Sequence, residues 1–469
     1  MTSKRFKLSL FIFRRDLRLQ DNTALMAALN ESEQVIPCFI FDDRQIKKNE
    51  YFSSKAFRFM LESLQDLKIQ IEKKNGHFYF FHGQAEKVIF DLFLKLPIDA
   101  VYFNRDYTPF SINRDNAIKK VIEKNKRKVF IFSDALLNEP EEVKKSDGSP
   151  YTIFTPFMRK SRELFVSKRR VNNQKNYYTK LIDTDNCFLP NQFLENYSEI
   201  NIYQGGCSNG KILLKNIVNL KNYSKNRDFP YKDATSHLSA HHKFGTISIR
   251  ETYDSYKNAF DDSVFINELY WRDFFTHIAF HFPRVLGESF NAKFHDIQWS
   301  NRFDHFDAWC NGTTGFPIVD AGMRELNQTG LMHNRVRMIA ASFLVKDLHI
   351  DWRWGEKYFA RHLIDYDPAV NNGNWQWAAS TGCDAQPYFR IFNPWLQQKR
   401  FDTDAEYIKK WVPELKHVPS KDINDPKKLL SYQIKQYPNP IVDHSIENKI
   451  AKLMYEQSTS IFKKKHKRK

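Results

Sequence analysis

The sequence predicts an α/β N-terminal domain with a parallel, Rossmann-like sheet, joined by a long connector to an all-α C-terminal domain. The chain has 469 residues, which is more than a single hydrophobic core usually serves. Short apolar runs alternate with amphipathic stretches near the N-terminus, whereas helical periodicity dominates the C-terminal half. We therefore divide the chain into four segments, at residues 1–135, 136–225, 226–455 and 456–469.

The first segment, residues 1–135, contains five short apolar runs that are typical of buried strands. Stretches 54–74, 84–95 and 111–125 have the periodicity of helices that cover such a sheet. The sequence "RRDLRLQDN" (14–22) follows the first run where a GxGxxG motif would stand, so a glycine-rich dinucleotide site is not predicted there. The predicted strands are residues 8–13, 35–41, 78–81, 100–103 and 129–132.

The second segment, residues 136–225, is rich in Lys, Asn and Ser and has weak periodicity, so it is predicted to be a connector that crosses the surface. The net charge of the chain is +17, and the sequence "KKKHKRK" (463–469) supplies six of the positive charges. Most of the positive excess therefore lies in the body of the protein. This excess favours a polyanionic partner such as nucleic acid, because Lys and Arg release the counterions of phosphate groups.

Composition excludes several classes of protein. No stretch approaches about 18 consecutive apolar residues, so no membrane span is predicted. The N-terminus lacks the layout of a secretory signal, and five scattered cysteines without a CxxC motif are typical of a reduced, cytoplasmic protein. His237, His241 and His242 have no acidic or thiol ligand at matching spacing, so no metal site is predicted.

The third segment contains all nine tryptophans, which lie between Trp271 and Trp411. A large aromatic core explains this concentration, and so does a domain that binds flat ring systems such as bases or a flavin. The motif "INELYWRDFF" (266–275) leaves the same two explanations open. On a helix, Glu268, Trp271 and Arg272 share one face, either as the floor of a site for a polar aromatic ligand or as a buried ion pair packed by indole.

Two further motifs place polar groups at the start of helices. In "TGLMHNRVRMIAASFLV" (329–345), Asn334 and Met338 lie one turn apart, and the later turns are apolar. In "TSHLS" (235–239), hydroxyl groups open a helical stretch, where they either cap exposed N–H groups or hold a phosphate.

The sequence "NNGNWQWAAS" (371–380) places two tryptophans one residue apart. Helical residues at i and i+2 point about 200° apart. Trp375 and Trp377 therefore cannot serve the same site.

Taken together, these motifs resemble the photolyase/cryptochrome family, and within it the class I cyclobutane pyrimidine dimer photolyases. The resemblance covers nearly the whole chain except the connector and the tail. It implies an α/β antenna domain and a helical domain that binds FAD. The segments that carry it are "FRRDLRLQDNTAL" (13–25), "RDFPYKDATSHLS" (227–239), "NELYWRDFF" (267–275), "GFPIVDAGMRELNQTGLMHNRVRMIAASFLVKDL" (315–348) and "NNGNWQWAASTGCDAQPYFRIFNP" (371–394).

The resemblance implies catalytic roles for particular residues. Asn371 stands where the family has a residue facing flavin N5, and a neutral amide there does not repel a reduced anionic flavin. Glu268 is expected to hydrogen-bond the lesion bases. Asn334 and Met338 stand where dimer photolyases have them, whereas the (6-4) photolyases have paired histidines.

The resemblance also gives the two adjacent tryptophans different tasks. Trp377 is expected to stack on a thymine. Trp375 is expected to lie beside the flavin and to begin an electron path through Trp352 to Trp299 at the surface.

The implied contacts form two sets. The FAD contacts are Tyr223, Thr235, Ser236, His237, Leu238, Ser239, Arg272, Arg337, Asp365, Tyr366, Asp367 and Asn371. The DNA and lesion contacts are Arg227, Glu268, Trp271, Asn334, Arg335, Met338, Trp377, Arg390 and Gln397.

The implied activity is light-driven repair of cyclobutane pyrimidine dimers, a carbon–carbon lyase reaction in which excited reduced FAD gives an electron to a flipped-out dimer. The expected partner is DNA that contains such dimers, and the protein is expected to act as a monomer. Two alternatives are a cryptochrome-like blue-light photoreceptor and a non-enzymatic DNA-binding protein with an aromatic helical domain.

The resemblance further implies an antenna chromophore, and methenyltetrahydrofolate is expected in this class. However, Ser111 stands where folate-binding relatives tend to have an acidic residue. A deazaflavin, a second flavin and an empty site therefore stay open.

Overall fold

The structure is a computed structural model that describes residues 4–47, 49–188, 190, 193, 202–260 and 263–466. It divides into two compact units. The unit that we call the α/β unit consists of Met1–Tyr151, Thr155–Lys221 and Ser236–Pro283. The unit that we call the helical unit consists of Thr152–Phe154, Asn222–Thr235 and Arg284–Lys469.

The α/β unit is built on a parallel sheet of five strands in the order β3-β2-β1-β4-β5. The strands are β1 (Phe6–Phe13), β2 (Ser32–Phe41), β3 (Tyr79–His82), β4 (Ala100–Asn104) and β5 (Lys128–Phe132). The helices among them are α1 (Thr23–Glu31), α2 (Asp43–Ile46), α3 (Ser54–Glu72), α4 (Ala85–Lys95) and α5 (Pro109–Lys124). The predicted fold class, the five predicted strands and the three predicted helices are confirmed.

The central strand β1 is buried on both faces, which explains its continuous apolar sequence. Every residue from Leu8 to Phe13 is buried, and Leu10 pairs with Ile36 on one side and with Val101 on the other. Strands of a parallel sheet that is covered on both faces read as unbroken hydrophobic runs. The short α1 was not predicted; it begins where the side chain of Asn22 accepts a hydrogen bond from the backbone N–H of Leu25.

The predicted connector differs from a segment that only crosses the surface. It contributes α6 (Phe154–Glu163) and α7 (Cys207–Asn216). Tyr177 is 2% exposed and forms a parallel bridge with Val35 of β2. The buried amide of Asn172 donates a hydrogen bond to the backbone oxygen of Leu19. Part of the predicted connector lies outside the described residues, as do the last three residues of the predicted tail.

A buried ion network explains why Ser236–Pro283 groups with the sheet and not with the helices that follow. Arg250 belongs to this segment and donates to Asp21 and to Asp134, each at 2.8 Å. Arg18 donates to the other oxygen of Asp134 at 2.6 Å. Burial raises the pKa of Asp134, but the two guanidinium groups outweigh it and lower the pKa to about 2. The observed division therefore differs from the predicted one at residue 226.

The chain continues with five helices from residue 223 to residue 281 and with thirteen helices, 3-10 helices included, in the rest of the described chain. The first group is α8 (Tyr223–Asn226), the 3-10 helix Pro230–Lys232, α9 (Ser239–Phe244), α10 (Ile249–Ala259) and α11 (Ser263–His281). The longer helices of the second group are α12 (Phe303–Asn311), α13 (Pro317–Thr329), α14 (Asn334–Lys346), α15 (Trp352–His362), α16 (Pro368–Ala378), α17 (Pro394–Phe401) and α18 (Glu406–Trp411). The last helices are α19 (Ser420–Ile423), α20 (Pro426–Ser431) and α21 (His444–His466), with a 3-10 turn at Pro413–Leu415.

The core of the helical unit is aromatic, which is one of the two explanations for the concentration of tryptophan. Trp309, Trp352 and Trp375 are each no more than 2% exposed. They pack with apolar side chains of α13 and α14 in one contiguous core. Three of the nine tryptophans are therefore structural by location, whatever else they do.

Candidate functional site

The start of α14 exposes polar groups while the rest of the helix is buried, as its sequence predicted. His333 is the N-cap and accepts a hydrogen bond from the backbone N–H of Arg335. Asn334 is exposed, Met338 is half-buried, and the amide of Asn334 lies 3.8 Å from the sulfur of Met338. From Ile339 to the end of α14 every residue is buried. The helix therefore fixes two side chains, Asn334 and Met338, at the edge of a rigid core.

One turn further along α14, Arg337 forms a charged pair with Asp365. Its two terminal nitrogens lie 3.2 Å and 2.9 Å from the two carboxylate oxygens, which is a bidentate geometry. Nε of Arg337 also donates to the backbone oxygen of Met332 at 2.7 Å. The side chain of Asp365 is 6% exposed and that of Arg337 is 26% exposed. The more accessible cation is thus held in place by a buried anion.

The helix α16 begins with a cap that places Asn371. Asp367 accepts hydrogen bonds from the backbone N–H groups of Ala369 and Val370, and Pro368 occupies the first turn. One turn later, the buried amide of Asn371 donates to the backbone oxygen of Glu356 at 3.1 Å. This bond to α15 fixes the orientation of the amide.

Glu356 was not predicted as a site residue. Its side chain is buried, and burial raises its pKa to about 7, although the amides of Asn371 and Asn372 act in the opposite direction. A carboxyl group with a pKa near neutrality beside a predicted site residue is a feature of functional sites. The sequence offered one signal, because Glu356 follows Trp352 by one helical turn and so lies on the same buried face of α15.

The two tryptophans of α16, Trp375 and Trp377, differ in burial. Trp375 is 2% exposed and lies edge-to-face with Phe359 at 4.9 Å between ring centroids. Trp377 is half-buried at the margin of the same core. The close crossing of α15 and α16 depends on Gly355, where an added Cβ would lie 2.1 Å from the ring of Trp375.

The structure places the other members of the predicted electron path as follows. Trp352 is 1% exposed, and its indole nitrogen is buried without a hydrogen-bond partner. Trp299 is half-buried and lies 6.2 Å from the ring of Tyr455. Within the described chain, no ring-to-ring contact joins Trp375 to Trp352 or Trp352 to Trp299.

The predicted ligand face of α11 is present in the α/β unit. Glu268, Trp271 and Arg272 are all half-buried, and Trp271 stacks on Phe275 with 5.5 Å between ring centroids. These three side chains therefore form a polar and aromatic stripe that is not sealed in the core. The other predicted lesion residues, which the helical unit contains, are Asn334, Met338 and Trp377.

The segment predicted to hold phosphate precedes a short helix. The cap of α9 is Leu238, which makes no side-chain cap bond, and Ser239 is the first residue of the helix. Thr235 and Ser236 are half-buried, and Ser239 is exposed. His237 has a positive φ of 52° and stacks on Tyr203 at 5.3 Å. The cap of this helix therefore does not come from a hydroxyl group.

The residues predicted to contact DNA strands differ in their accessibility. Arg390 is exposed and Gln397 is half-buried. Arg335, in contrast, pairs with Asp228 at 2.8 Å and lies over the ring of Phe401 at 4.4 Å. Arg335 is thus already held by groups of its own unit, whereas Arg390 presents its guanidinium to solvent.

The remaining predicted FAD contacts are Tyr223, Tyr366 and Arg272. Tyr223 is half-buried in α8, and the guanidinium of Arg227 lies 5.9 Å from its ring centroid. Tyr366 is half-buried between Asp365 and Asp367. Arg272 contacts the carboxylate of its neighbour Asp273 at 3.4 Å, among the charges of α11.

Comparison with known proteins identifies this arrangement of helices. A family model described as the FAD binding domain of DNA photolyase matches residues 265–457, and one described as DNA photolyase matches residues 9–173. A deoxyribodipyrimidine photo-lyase of Alkalihalophilus pseudofirmus is 39% identical over 94% of this chain and 96% of the relative. The chain belongs to the DNA photolyase family.

Solved structures of photolyases agree with this family assignment. An archaeal photolyase from Sulfolobus tokodaii with two FAD molecules is 42% identical, covers 96% of this chain and all of its own, and superposes with a TM-score of 0.87. A bacterial class III photolyase from Agrobacterium tumefaciens is 35% identical with a TM-score of 0.88, over 98% of this chain and 99% of its own. A Synechocystis cryptochrome is 28% identical with a TM-score of 0.87, over 97% and 100%.

The residues of the photolyase helical unit fit FAD, the cofactor of the matched domain. The pair Arg337–Asp365 offers a guanidinium that faces solvent, and Asn371 offers an amide that its neighbour Glu356 holds in one orientation. A flavin ring has both N–H and carbonyl groups. Its site therefore requires hydrogen-bond donors and acceptors that are held in fixed positions. The fit rests on these fixed donors and acceptors.

The α/β unit contains a second charged cluster, at the carboxyl ends of β1 and β4. Arg14 and Arg114 each donate to the same oxygen of Asp115, at 2.6 Å and 3.0 Å. Burial and the neighbouring Arg114 lower the pKa of Arg14 to about 10, and its Nη2 is buried without a hydrogen-bond partner. The hydroxyl of Ser111 donates to Asp106, so an acidic group lies next to the serine that departs from folate-binding relatives. Ligands of parallel sheets bind at this edge.

Among the described residues, no group of three or more metal-ligating side chains lies close enough together to hold an ion. The helices of the described chain include none of the length and hydropathy that crossing a bilayer demands.

Proposed function

We propose that this chain repairs cyclobutane pyrimidine dimers in DNA, driven by light and dependent on bound FAD. The observation that carries the proposal is Asn371, a buried neutral amide locked by Glu356 and located one turn from the Asp367 cap. An aspartate at that position, as in plant cryptochromes, would add a negative charge beside a reduced anionic flavin. The relatives named deoxyribodipyrimidine photo-lyase support the same activity.

In a cofactor enzyme the cofactor supplies the chemistry and the protein supplies binding and orientation. When bound, reduced and excited by light, FAD supplies the electron that opens the cyclobutane ring and takes it back afterwards. The protein binds, orients and excludes water. Arg337 and Asp365 would hold the bound flavin through their charges, and Asn371 would present a donor and an acceptor that carry no net charge.

The lesion residues are proposed to hold a dinucleotide outside the duplex. A dimer stacks and pairs poorly, so flipping it out costs less than flipping an intact pair. Trp271 and Trp377 offer half-buried ring faces for stacking. Glu268 and Asn334 offer hydrogen bonds to the base edges, with Glu268 proposed to stabilise the negative charge that develops on the dimer.

The DNA strand is proposed to contact Arg390, Gln397, Arg227 and Arg335. Contacts to phosphate give affinity that falls with salt. Because Arg335 already pairs with Asp228, we expect Arg390 to contribute more to the salt dependence than Arg335 does.

The test uses purified protein with chemically reduced FAD and three oligonucleotides of one sequence. One contains a cyclobutane thymine dimer, one a (6-4) photoproduct, and one is undamaged. The proposal expects blue light to restore thymines in the first only, with none restored in the dark. Binding of the dimer-containing oligonucleotide without light-dependent restoration of thymines would instead support a photoreceptor. The similarity to a cryptochrome supports the same alternative. A protein that purifies without flavin absorbance would support simple DNA binding.

We also propose that the cluster around Arg14 binds a second, light-harvesting chromophore. The cluster would bind an acidic group of that chromophore. A buried guanidinium nitrogen without a partner favours an anion, since buried donors are normally satisfied. Methenyltetrahydrofolate, which has carboxylates, and a flavin nucleotide, which has phosphates, share this chemistry, and the Sulfolobus tokodaii photolyase has a second FAD. The absorption spectrum and mass of the extracted chromophore separate the two, and Arg14→Met should reduce its content while leaving FAD in the helical unit.

A further inference from the structure

The long helix α21 is attached to the helical unit by one of its faces, which we call the inner face. Ala451, Tyr455 and Ser458 of this face are buried. The ring of Tyr455 lies 5.2 Å from the ring of Phe294, and its hydroxyl donates to the backbone oxygen of Ala379. These contacts fix the helix in place.

The other side of α21 has a row of aliphatic side chains that we call the outer stripe. It consists of Ile446, Ile450, Leu453 and Ile461, which are 36% to 55% exposed. At about 100° per residue they fall within an arc of about 80°, centred about 130° from the inner face. A surface helix normally has one apolar stripe, and exposed aliphatic residues are normally scattered singly. An aligned exposed row, about 22 Å long, is therefore typical of an interaction surface.

Lysines lie beside the outer stripe and also continue it. Lys449, Lys452 and Lys463 lie along one border of the stripe, and Lys464 lies on its line. Among the residues that the structure describes, none of these four lysines has an ion-pair partner. Their charges are therefore available to an external anion.

Acidic side chains are fewer along the outer stripe. Glu456 is exposed on the border that the lysines occupy, and Asp443 precedes the helix. Glu447 is already held by His349, at 2.6 Å. The sequence "KKKHKRK" (463–469) adds further positive charge, although its last three residues lie outside the described chain. The stripe and its borders therefore combine an apolar surface with a net positive charge.

The outer stripe is separate from the predicted lesion residues of the helical unit. At the start of α21, His444 pairs with Asp347, directly after α14. Further along α21, the ring of Tyr455 lies 3.6 Å from the amino group of Lys346, the last residue of α14. Asn334 begins α14, about 18 Å away along the helix axis. The helix α21 is thus attached at the end of α14 that is remote from Asn334.

The chemistry of the outer stripe excludes two of its possible partners. DNA offers phosphates to the lysines but nothing to a row of aliphatic side chains. A second copy of the chain would bring the same lysines together. One row of side chains is also much smaller than the surface of about 800 Å² that each partner buries in a stable complex.

An anionic lipid surface fits the outer stripe better than a peptide does. A peptide partner would have to supply a groove, because one face of a helix is a ridge. A lipid surface needs no matching shape. Aliphatic side chains enter the boundary between headgroups and acyl chains, while lysine stems extend to the lipid phosphates.

We propose that the outer stripe of α21 binds the surface of an anionic lipid membrane, so that the protein attaches to it peripherally and reversibly. The aliphatic side chains supply the apolar contact, and the lysines supply attraction to anionic headgroups that salt screens. The inner face stays packed, so attachment requires no unfolding of α21. The proposal goes beyond repair and does not depend on it.

The test uses the FAD-loaded protein and vesicles of two compositions. One contains equal parts of phosphatidylglycerol and phosphatidylcholine, and the other contains phosphatidylcholine alone. Binding is measured by co-sedimentation at about 0.1 M salt. We expect binding to the anionic vesicles only. Affinity should fall by at least about tenfold in Ile450→Ser/Leu453→Ser and in Lys463→Gln/Lys464→Gln.

Each of these variants has a matched control in the α/β unit. Leu94→Ser/Ile212→Ser removes two aliphatic side chains that are exposed on other helices, α4 and α7. Lys119→Gln/Lys120→Gln removes two exposed lysines of α5. Both controls should bind vesicles as wild type does. All four variants should keep the FAD content of wild type, which shows that they are folded.

A second readout separates insertion of the stripe from adsorption by charge. Cys187 is the exposed cysteine of this chain, and the other four are buried. Gln457 is exposed and lies within the outer stripe, so Gln457→Cys in a Cys187→Ser background offers one site for labelling. A nitrobenzoxadiazole dye at this site should shift its emission to the blue on anionic vesicles. The same dye on the native Cys187 should show no shift.

Several results would overturn the proposal. Protein that does not bind anionic vesicles would do so directly. Equal binding by Ile450→Ser/Leu453→Ser and wild type, or a dye at Gln457→Cys that does not shift, would mean that the lysines alone hold the protein. Self-association of the lipid-free protein that Ile450→Ser/Leu453→Ser abolishes would assign the stripe to a second copy. Binding of a synthetic acidic amphipathic peptide without binding of vesicles would assign it to a protein partner.

Discussion

The difference in stability between the Glu356→Gln variant and wild type should shift in favour of the variant as the pH rises. Burial holds the pKa of this carboxyl group at about 7, against 4.5 for an ordinary glutamate. The folded state therefore keeps the proton more tightly than the unfolded state does. Stability conferred by the protonated form is complete below pH 4.5 and is lost as the pH rises through 7. Each pKa unit corresponds to about 1.4 kcal/mol, so the full loss is about 3 kcal/mol.

Glutamine has the shape of protonated glutamate but does not ionise, so Glu356→Gln should remove this loss. The assay is urea unfolding of the FAD-loaded protein followed by tryptophan fluorescence at pH 5 and at pH 8. We expect the variant to gain about 2–3 kcal/mol on wild type between the two pH values. Glu456→Gln, a change to an exposed carboxylate on α21, is the control and should show no such gain. An equal difference between Glu356→Gln and wild type at both pH values would refute the argument that Glu356 is protonated near neutrality.

Three other substitutions test separate parts of the structure. Glu268→Ala should lower the yield of light-driven repair far more than the FAD content of the purified protein, measured on a dimer-containing oligonucleotide and by flavin absorbance; equal repair would remove Glu268 from the lesion site. Asp134→Asn should destabilise the protein by about 3–5 kcal/mol in urea, because it leaves Arg18 and Arg250 buried with one anion fewer; a change below about 1 kcal/mol would mean that the network is dispensable. Gly355→Ala should shift the tryptophan fluorescence and cost about 1–3 kcal/mol or more, because its Cβ has no room against the Trp375 ring; wild-type stability would show that α15 and α16 separate easily.

Local sequence patterns were sufficient to predict the sheet of the α/β unit. Four of the five strands contain a run of buried residues, so their apolar sequences stand out from the helical stretches around them. The difference in burial between Trp375 and Trp377 was predictable from helix geometry alone.

Interactions between distant residues were not predictable in this way. Arg250 joins Asp21 over more than two hundred positions, so the grouping of Ser236–Pro283 with the sheet has no local signal. Within the polar segment 136–225, single buried residues such as Tyr177 pack against the sheet, and composition averages them out. Glu356 reads as an ordinary charged residue of a helix until its burial is known.

The likeness to photolyases does not by itself separate repair from signalling, because a cryptochrome superposes on the chain about as well. The difference has to come from the chemistry of single residues. Asn371 and the half-buried stripe of α11 favour repair, and none of these residues belongs to the sheet.

The most direct measurement is a single-turnover repair experiment on one thymine dimer. An oligonucleotide with a single dimer is bound to protein whose flavin has been reduced chemically, and absorbance at the thymine band is recorded before and after a short blue pulse. We predict that absorbance returns in proportion to the light absorbed by the reduced flavin, that none returns in the dark, and that Glu268→Ala suppresses the return. Absorbance that stays flat although the oligonucleotide is bound and the flavin is reduced would contradict the account.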